Sequence, residues 1–257
     1  MSPSRSAPKR PLVLIPARMG STRLPGKPLL DIHGEPMIVH VWKRAMESKI
    51  GPVVVACDGP EIAEAVKKAG GEAVVTDPNH PSGSDRIWEA LTILQDKAQK
   101  GLGEFDSIIN VQGDLPTLDP VAIRTAYALL GNPSVDIGTL GVAIHKDEEI
   151  HADHIVKAVA EIPQGETLGR ALYFSRRPVP SGAGPMVHHI GLYAYRRDAL
   201  ARFVKEPPSQ LEQREKLEQL RALALGMHIA LAMIDTVPLG VDTPADLDIA
   251  RKILGTK

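Results

Sequence analysis

Cysteine is nearly absent: Cys57 is the only one in 257 residues. That excludes an internal disulfide and a cysteine-rich zinc site, and it fits a reducing cytosol. Excess charge is missing too, with 30 Lys and Arg against 31 Asp and Glu. No global field draws the chain to nucleic acid or an acidic membrane face, so any anion binding must come from local clusters. No apolar run is long enough to span a bilayer. The first ten residues, MSPSRSAPKR, lack the apolar core of a signal peptide and read as a frayed tail. Repeats, low-complexity tracts and a linker able to separate two independent domains are also absent.

What is present is an alternation. Short apolar runs at 12–16, 53–57, 72–76 and 107–111 read as buried strands. Between and after them, 36–48, 60–70, 84–100 and 119–131 carry helical spacing, with Ser84 as the expected cap of the third. This order predicts an α/β fold with βαβ units and a mostly parallel sheet. From about residue 135 the rhythm changes. Strands at 136–144, 154–162, 170–176 and 188–196 are expected to be partly antiparallel, with a Pro/Gly-rich loop at 177–185. A helical region at 197–225, a strand at 228–234 and a helix at 243–254, capped by Thr243 with Pro244 following, complete the chain.

The stretch LIPARMGSTRLPGKPLL, residues 14–30, looks like a phosphate loop stiffened by Pro25 and Pro28. It is not a Walker loop, because five residues separate Gly20 from Gly26 and Lys27 is followed by Pro28. The dinucleotide fingerprint G-x-G-x-x-G is missing as well, and so is any Ser-His-Asp or nucleophilic-cysteine pattern. What remains is a loop with Arg18, Ser21, Thr22, Arg23 and Lys27 just after a buried strand. One isolated cation would be solvated surface. Three cations between residues 18 and 27, mixed with glycines at the carboxyl end of a strand, point to a triphosphate site.

Asp114, in NVQGDLP, follows another strand, and Asp242, in PLGVDTP, precedes a helix. Each can be a turn former or cap. Each can also hold Mg²⁺, which usually takes one or two carboxylates plus substrate phosphates. His189 and Tyr193 share one face of a strand and read as a buried pair satisfied by backbone. SQLEQREKLEQLR, residues 209–221, reads as a solvated helical face. Trp42 and Trp88 read as core rather than as base-stacking platforms.

The segments IPARMGSTRLPGKPL, HPSGSDR, NVQGD, ALYFSR, HIGLYAY, LEQLR and GVDTP, in this order from about residue 11 to 254, resemble the CMP-KDO synthetases, or 3-deoxy-manno-octulosonate cytidylyltransferases. The first motif is shared more loosely with sialic acid cytidylyltransferases. The resemblance implies a Rossmann-like nucleotidyltransferase fold. One cytidylyltransferase domain would span 11–257, with a smaller β-rich dimerisation insertion at about 136–204. It implies a cytoplasmic homodimer, with no membrane insertion and no nucleic acid partner. The reaction would join CTP and KDO into CMP-KDO and pyrophosphate, with Mg²⁺, for lipopolysaccharide biosynthesis. By motif, Pro16, Ala17, Arg18, Arg23 and Lys27 would hold the nucleotide, with Arg18 and Lys27 also catalytic. Ser82, Gly83 and Arg86 would lie near cytosine, and Asp114 and Asp242 would bind the metal. Gln112, His189, Tyr193, Glu218 and Gln219 would contact the sugar, with Arg176 as a further candidate for its carboxylate.

One departure stands out: Leu115 occupies a position where the family often has Glu, so an acidic group is missing beside Asp114. Two other functions compete with KDO activation. One is a cytidylyltransferase for another acidic sugar, such as sialic acid or an amino variant of KDO. The other is a CTP-binding regulatory module without turnover.

Overall fold

The structure, a computed structural model, describes residues 5–21, 23–97 and 105–255. Thr22, residues 1–4 of the expected tail and residues 98–100 of the expected third helix lie outside the described residues. The chain divides into two compact units, one formed by Lys9–Arg124 with Pro238–Lys257, the other by Met1–Pro8 with Thr125–Val237. The expected β-rich region at 136–204 falls within the latter.

The first unit is built on parallel strands. β1 (Pro11–Ala17) lies between two partners, and every residue in it except Pro16 is buried. A strand covered on both faces reads as a continuous apolar run rather than an alternation. The hairpin β2 (Asp31–Ile32) and β3 (Glu35–Pro36) leads into α1 (Met37–Met46). β4 (Val53–Cys57) is buried at every position, α2 (Pro60–Lys68) has Pro at its start, and β5 (Glu72–Val75) follows. α3 (Gly83–Lys97) and β6 (Ser107–Asn110) complete the alternation before α4 (Pro120–Ala128). The order β5-β4-β1-β6 is parallel throughout, with Leu14 opposite both Val54 and Asn110.

The second unit is mixed. β7 (Ile137–Ala143) is followed by the short helix α5 (Asp147–His151), then β8 (Lys157–Glu161), β9 (Leu168–Ser175) and β10 (Val187–Arg196). α6 (Arg197–Lys205), α7 (Gln210–Glu215) and α8 (Gln219–Ala224) precede β11 (Ile229–Met233). β7 pairs antiparallel with β10 and parallel with β11, while β9 pairs antiparallel with β11 and β8. The chain then returns to the first unit, where α9 (Pro244–Leu254) is capped by Thr243 in a reciprocal box with Asp246, as expected. Leu247 and Ala250 of α9 pack with Leu24, Ile32, Met37 and Val241.

Three expectations need correction. α3 begins one residue earlier than its expected cap: Ser82 Oγ, not Ser84, accepts from the Asp85 amide at 3.2 Å, and Ser84 is buried. The frayed tail does not extend through residue 10. Arg5 pairs with Asp136 at 2.6 Å, the Ser6 carbonyl accepts from Arg196 at 2.9 Å, and the Lys9 and Arg10 amides donate to Asp106. These partners sit far along the chain and leave no trace in local composition.

The third concerns 209–221. It is not one solvated helix but two short ones joined at Lys216, whose φ of 55° is left-handed. The reversal buries Glu212 against Arg221, with Nε–Oε2 at 2.8 Å and Nη2–Oε1 at 2.5 Å.

Candidate active site

The loops after β1, β5 and β6, together with Asp242, line one cavity of about 600 Å³ within the first unit. Three of its walls follow the carboxyl ends of strands in one parallel set, where ligands bind in sheets of this kind. Gly113 lets two of these ends approach, since a Cβ there would lie 2.6 Å from the Pro16 carbonyl oxygen.

Local rules explain the proline-rich loop. Both carboxylate oxygens of Asp58, just beyond β4, accept from the Met19 amide at 3.1 and 3.0 Å. Ser21 Oγ accepts from the Leu24 amide, and Gly26 adopts a left-handed φ of 67°. A single 3₁₀ turn, Lys27–Leu29, then starts with Pro28 near its head, where a missing N–H is harmless. The prolines therefore permit only this short turn, and it aims Lys27 inward.

Lys27 Nζ lies 2.8 Å from Asp114 Oδ2 and 3.0 Å from Asp242 Oδ1. Arg23 reaches the other Asp242 oxygen at 3.1 Å. Residues far apart in sequence thus meet at one ammonium group. Burial works against the charge on Lys27, but the two carboxylates outweigh it and hold its pKa above the usual value. The Val241 amide donates to the Asp114 carbonyl at 3.0 Å, tying the two acidic segments together. Thr243 and Asp246 do the capping of α9, so the carboxylate of Asp242 faces Lys27 and Arg23 instead.

The rest of the cavity wall comes from the segment that leads into α3. Ser82 Oγ donates to Asp85 at 2.7 Å, and the buried Arg86 donates to Thr76 Oγ1 at 2.6 Å. Pro16, Ala17, Arg18, Gly83 and Gln112 also line it, as do His80 and Pro81, which the sequence reading did not single out. His80 was legible only as part of the motif HPSGSDR; its contact with Glu89 at 2.5 Å is a tertiary feature. Leu115 is buried and is not part of the wall.

Cations and carboxylates together suit an anionic ligand held with a divalent cation. Among the described residues no three His, Cys, Asp or Glu side chains gather as a self-sufficient metal site. Two convergent carboxylates fit Mg²⁺ when substrate phosphates complete its shell.

The remaining sugar candidates belong to the second unit. His189 and Tyr193 are buried, with ring centroids 5.5 Å apart. The His189 ring nitrogen Nε2 lies 3.0 Å from Thr139 Oγ1. Burial, with help from His188, pushes the His189 pKa down to about 3, and burial pushes that of Tyr193 up. Both are neutral hydrogen-bonding groups near pH 7. Gln219 is buried and Glu218 half-buried at the start of α8. Arg176 is committed to backbone: its three guanidinium nitrogens donate to the carbonyls of Glu215, Asp153 and Lys216.

The His189 shift has a consequence for stability. The unfolded chain takes up this proton near pH 6.5 and the folded one only near 3, so His189 costs nothing above pH 6.5 and destabilises increasingly below it. Urea unfolding should show a loss of roughly 2 kcal/mol from this residue between pH 6.5 and 4.5. His189→Gln should flatten that interval; an unchanged slope would refute the assignment.

The chain matches the cytidylyltransferase family over residues 12–229. It is 60% identical over 244 residues to a 3-deoxy-manno-octulosonate cytidylyltransferase of Paramagnetospirillum magneticum, covering 95% of this chain and 97% of the relative. The chain belongs to the 3-deoxy-manno-octulosonate cytidylyltransferase family. A solved structure of CMP:2-keto-3-deoxy-manno-octonic acid synthetase complexed with CTP superposes on this cytidylyltransferase with a TM-score of 0.85. The two are 38% identical, over 96% of this chain and 99% of that one. A nucleotidyl transferase from Methanothermobacter, 15% identical with a TM-score of 0.59 over 96% and 99% of the two chains, shares the fold alone. The fold is thus the mixed α/β fold of nucleotidyltransferases. Among the described residues of the family member no helix is long and apolar enough to cross a membrane.

Proposed function

We propose that this chain transfers CMP from CTP to KDO, giving CMP-KDO and pyrophosphate and activating the sugar for lipopolysaccharide biosynthesis. The observation that carries the reading is the convergence of Lys27, Asp114 and Asp242 beside Arg18, Arg23 and Arg86 in one cavity. Family membership supplies the nucleotide and the sugar. A Rossmann-like first unit, with the β-rich region acting in dimerisation, completes the reading, as does a cytoplasmic homodimer.

The anomeric 2-hydroxyl of KDO attacks the α-phosphorus of CTP. A new P–O bond forms there, the bond to the bridging oxygen of the β-phosphate breaks, and the hydroxyl proton leaves to solvent. Arg18 and Arg23 clamp phosphate oxygens with planar forks, and Lys27 places a point charge where negative charge builds up. Asp114 and Asp242 hold Mg²⁺, which when bound neutralises phosphate charge and orients the oxygens. Ser82, Gly83 and Arg86 read the cytosine. Gln112, His189, Tyr193, Glu218 and Gln219 contact the sugar, the neutral His189 and Tyr193 suiting its hydroxyls.

Pyrophosphate release tests this directly. Four nucleoside triphosphates are each paired with KDO, an amino variant of KDO and sialic acid. Release is expected with CTP and KDO alone. Release with another sugar overturns the substrate, and CTP binding without release from any pair favours the regulatory module.

A further inference from the structure

We infer that Glu215 and Arg176 are positioning residues that set the elbow between α7 and α8, and through it Glu218 and Gln219. The inference rests on the sugar-site reading above. Arg176 was a candidate for direct contact with the sugar carboxylate; its geometry gives it a different role.

The elbow is short. α7 ends at Glu215, α8 begins at Gln219, and Lys216 between them is held left-handed without being glycine. Such a residue persists only when its surroundings impose it. Here the surroundings are the end of β9. The Glu215 carboxylate accepts from Tyr173 Oη at 3.4 Å, from Ser175 Oγ at 3.2 Å and from the Arg176 amide at 3.3 Å. Arg176 answers by donating Nε to the Glu215 carbonyl at 3.1 Å and Nη2 to the Lys216 carbonyl at 3.4 Å. The bonds are reciprocal: each residue satisfies a backbone group of the other.

Arg176 is itself anchored. Lys157 is fully buried, and its ammonium donates to the Arg176 carbonyl at 3.1 Å and to those of Ala152 and Ile155. A planar fork that satisfies carbonyls on separate segments is a geometric task that a lysine point charge cannot copy. The charge of Arg176 is secondary; its shape is what places the elbow. Glu218 and Gln219 follow the elbow by two and three residues, so a displaced elbow moves both. Displacements of about 1 Å in a positioned group can cost a hundredfold.

The test uses the full chain with CTP, KDO and Mg²⁺, varying each substrate in turn. Glu215→Gln and Arg176→Lys should each raise KM for KDO roughly tenfold while KM for CTP stays within about twofold. The double variant should be no worse than the weaker single, because both act on one elbow. An unchanged KM for KDO in Glu215→Gln overturns the inference. So does normal behaviour of Arg176→Lys beside a defective Arg176→Ala, which would mark a charge ligand. Hydrogen exchange of amides 216–220 gives a readout independent of turnover. Faster exchange in Glu215→Gln supports the inference even if KDO is not the substrate, and unchanged exchange contradicts it.

Discussion

Lys27→Ala should lose roughly a hundredfold or more in the rate of pyrophosphate release, the scale expected for one preorganised charge at a transferring phosphoryl group. In the resting protein Nζ lies within 3.0 Å of both Asp114 and Asp242. Removing it therefore also leaves two carboxylates facing each other without a cation between them. That uncompensated pair should bind Mg²⁺ more readily once the competing ammonium is gone, so the variant should need less metal for its own half-maximal rate. Lys27→Arg should recover only part of the activity, since a fork cannot sit as a point charge between two carboxylates. Steady-state rates at saturating CTP and KDO, over a magnesium series, check both statements. A variant that turns over normally at every magnesium level would remove Lys27 from the chemistry.

Glu212→Gln is expected to destabilise the fold strongly. Arg221 is buried against Glu212 in a two-pronged pair and also donates to the Phe203 and Glu206 carbonyls. Its guanidinium carbon stands 4.5 Å from the centre of the Phe203 ring. Gln keeps the shape and can keep the capping box with Ser209, but it leaves a buried guanidinium without a counter-charge. Breaking such a pair from one side costs about 3–5 kcal/mol, equivalent to roughly 10 °C in Tm for a chain of this size. Replacing both partners with Met should restore most of the loss, because the penalty comes from the orphaned charge rather than from the missing attraction. Thermal unfolding of Glu212→Met, Arg221→Met and the double closes the cycle; a double variant as unstable as Glu212→Met would contradict the argument.

The parallel half of the fold was legible because burial writes itself into short apolar runs such as VVVAC, and because Pro60 and Gly70 punctuate a helix. The cationic loop was legible for the same local reason: Arg18, Arg23 and Lys27 crowd one stretch. What local pattern cannot carry is pairing across the chain. Nothing near Asp242 announces that it shares an ammonium with Asp114, and the Thr243-Pro244 helix start makes a cap the natural reading. The need of a triphosphate loop for a metal, and then the family resemblance, joined the two; spacing did not.

The stretch 209–221 shows the opposite failure. Its charges follow helical spacing, yet Lys216 takes a left-handed conformation that its residue type does not signal, and the reversal buries Glu212 and Arg221. A cation beside a sugar motif invites a charge role for Arg176. Its carbonyl partners come from segments centred on Asp153 and Glu215, well outside any local window.

The central claim is a bond: cytidine 5′-phosphate joined to the anomeric oxygen of KDO. Phosphorus NMR of the protein with CTP, KDO and Mg²⁺ tests it most directly. The account predicts that the three CTP resonances give way to pyrophosphate and a single phosphodiester, which mass spectrometry identifies as CMP-KDO. Pyrophosphate accompanied by free CMP from the outset, with KDO unchanged, would mean hydrolysis rather than transfer and would contradict it.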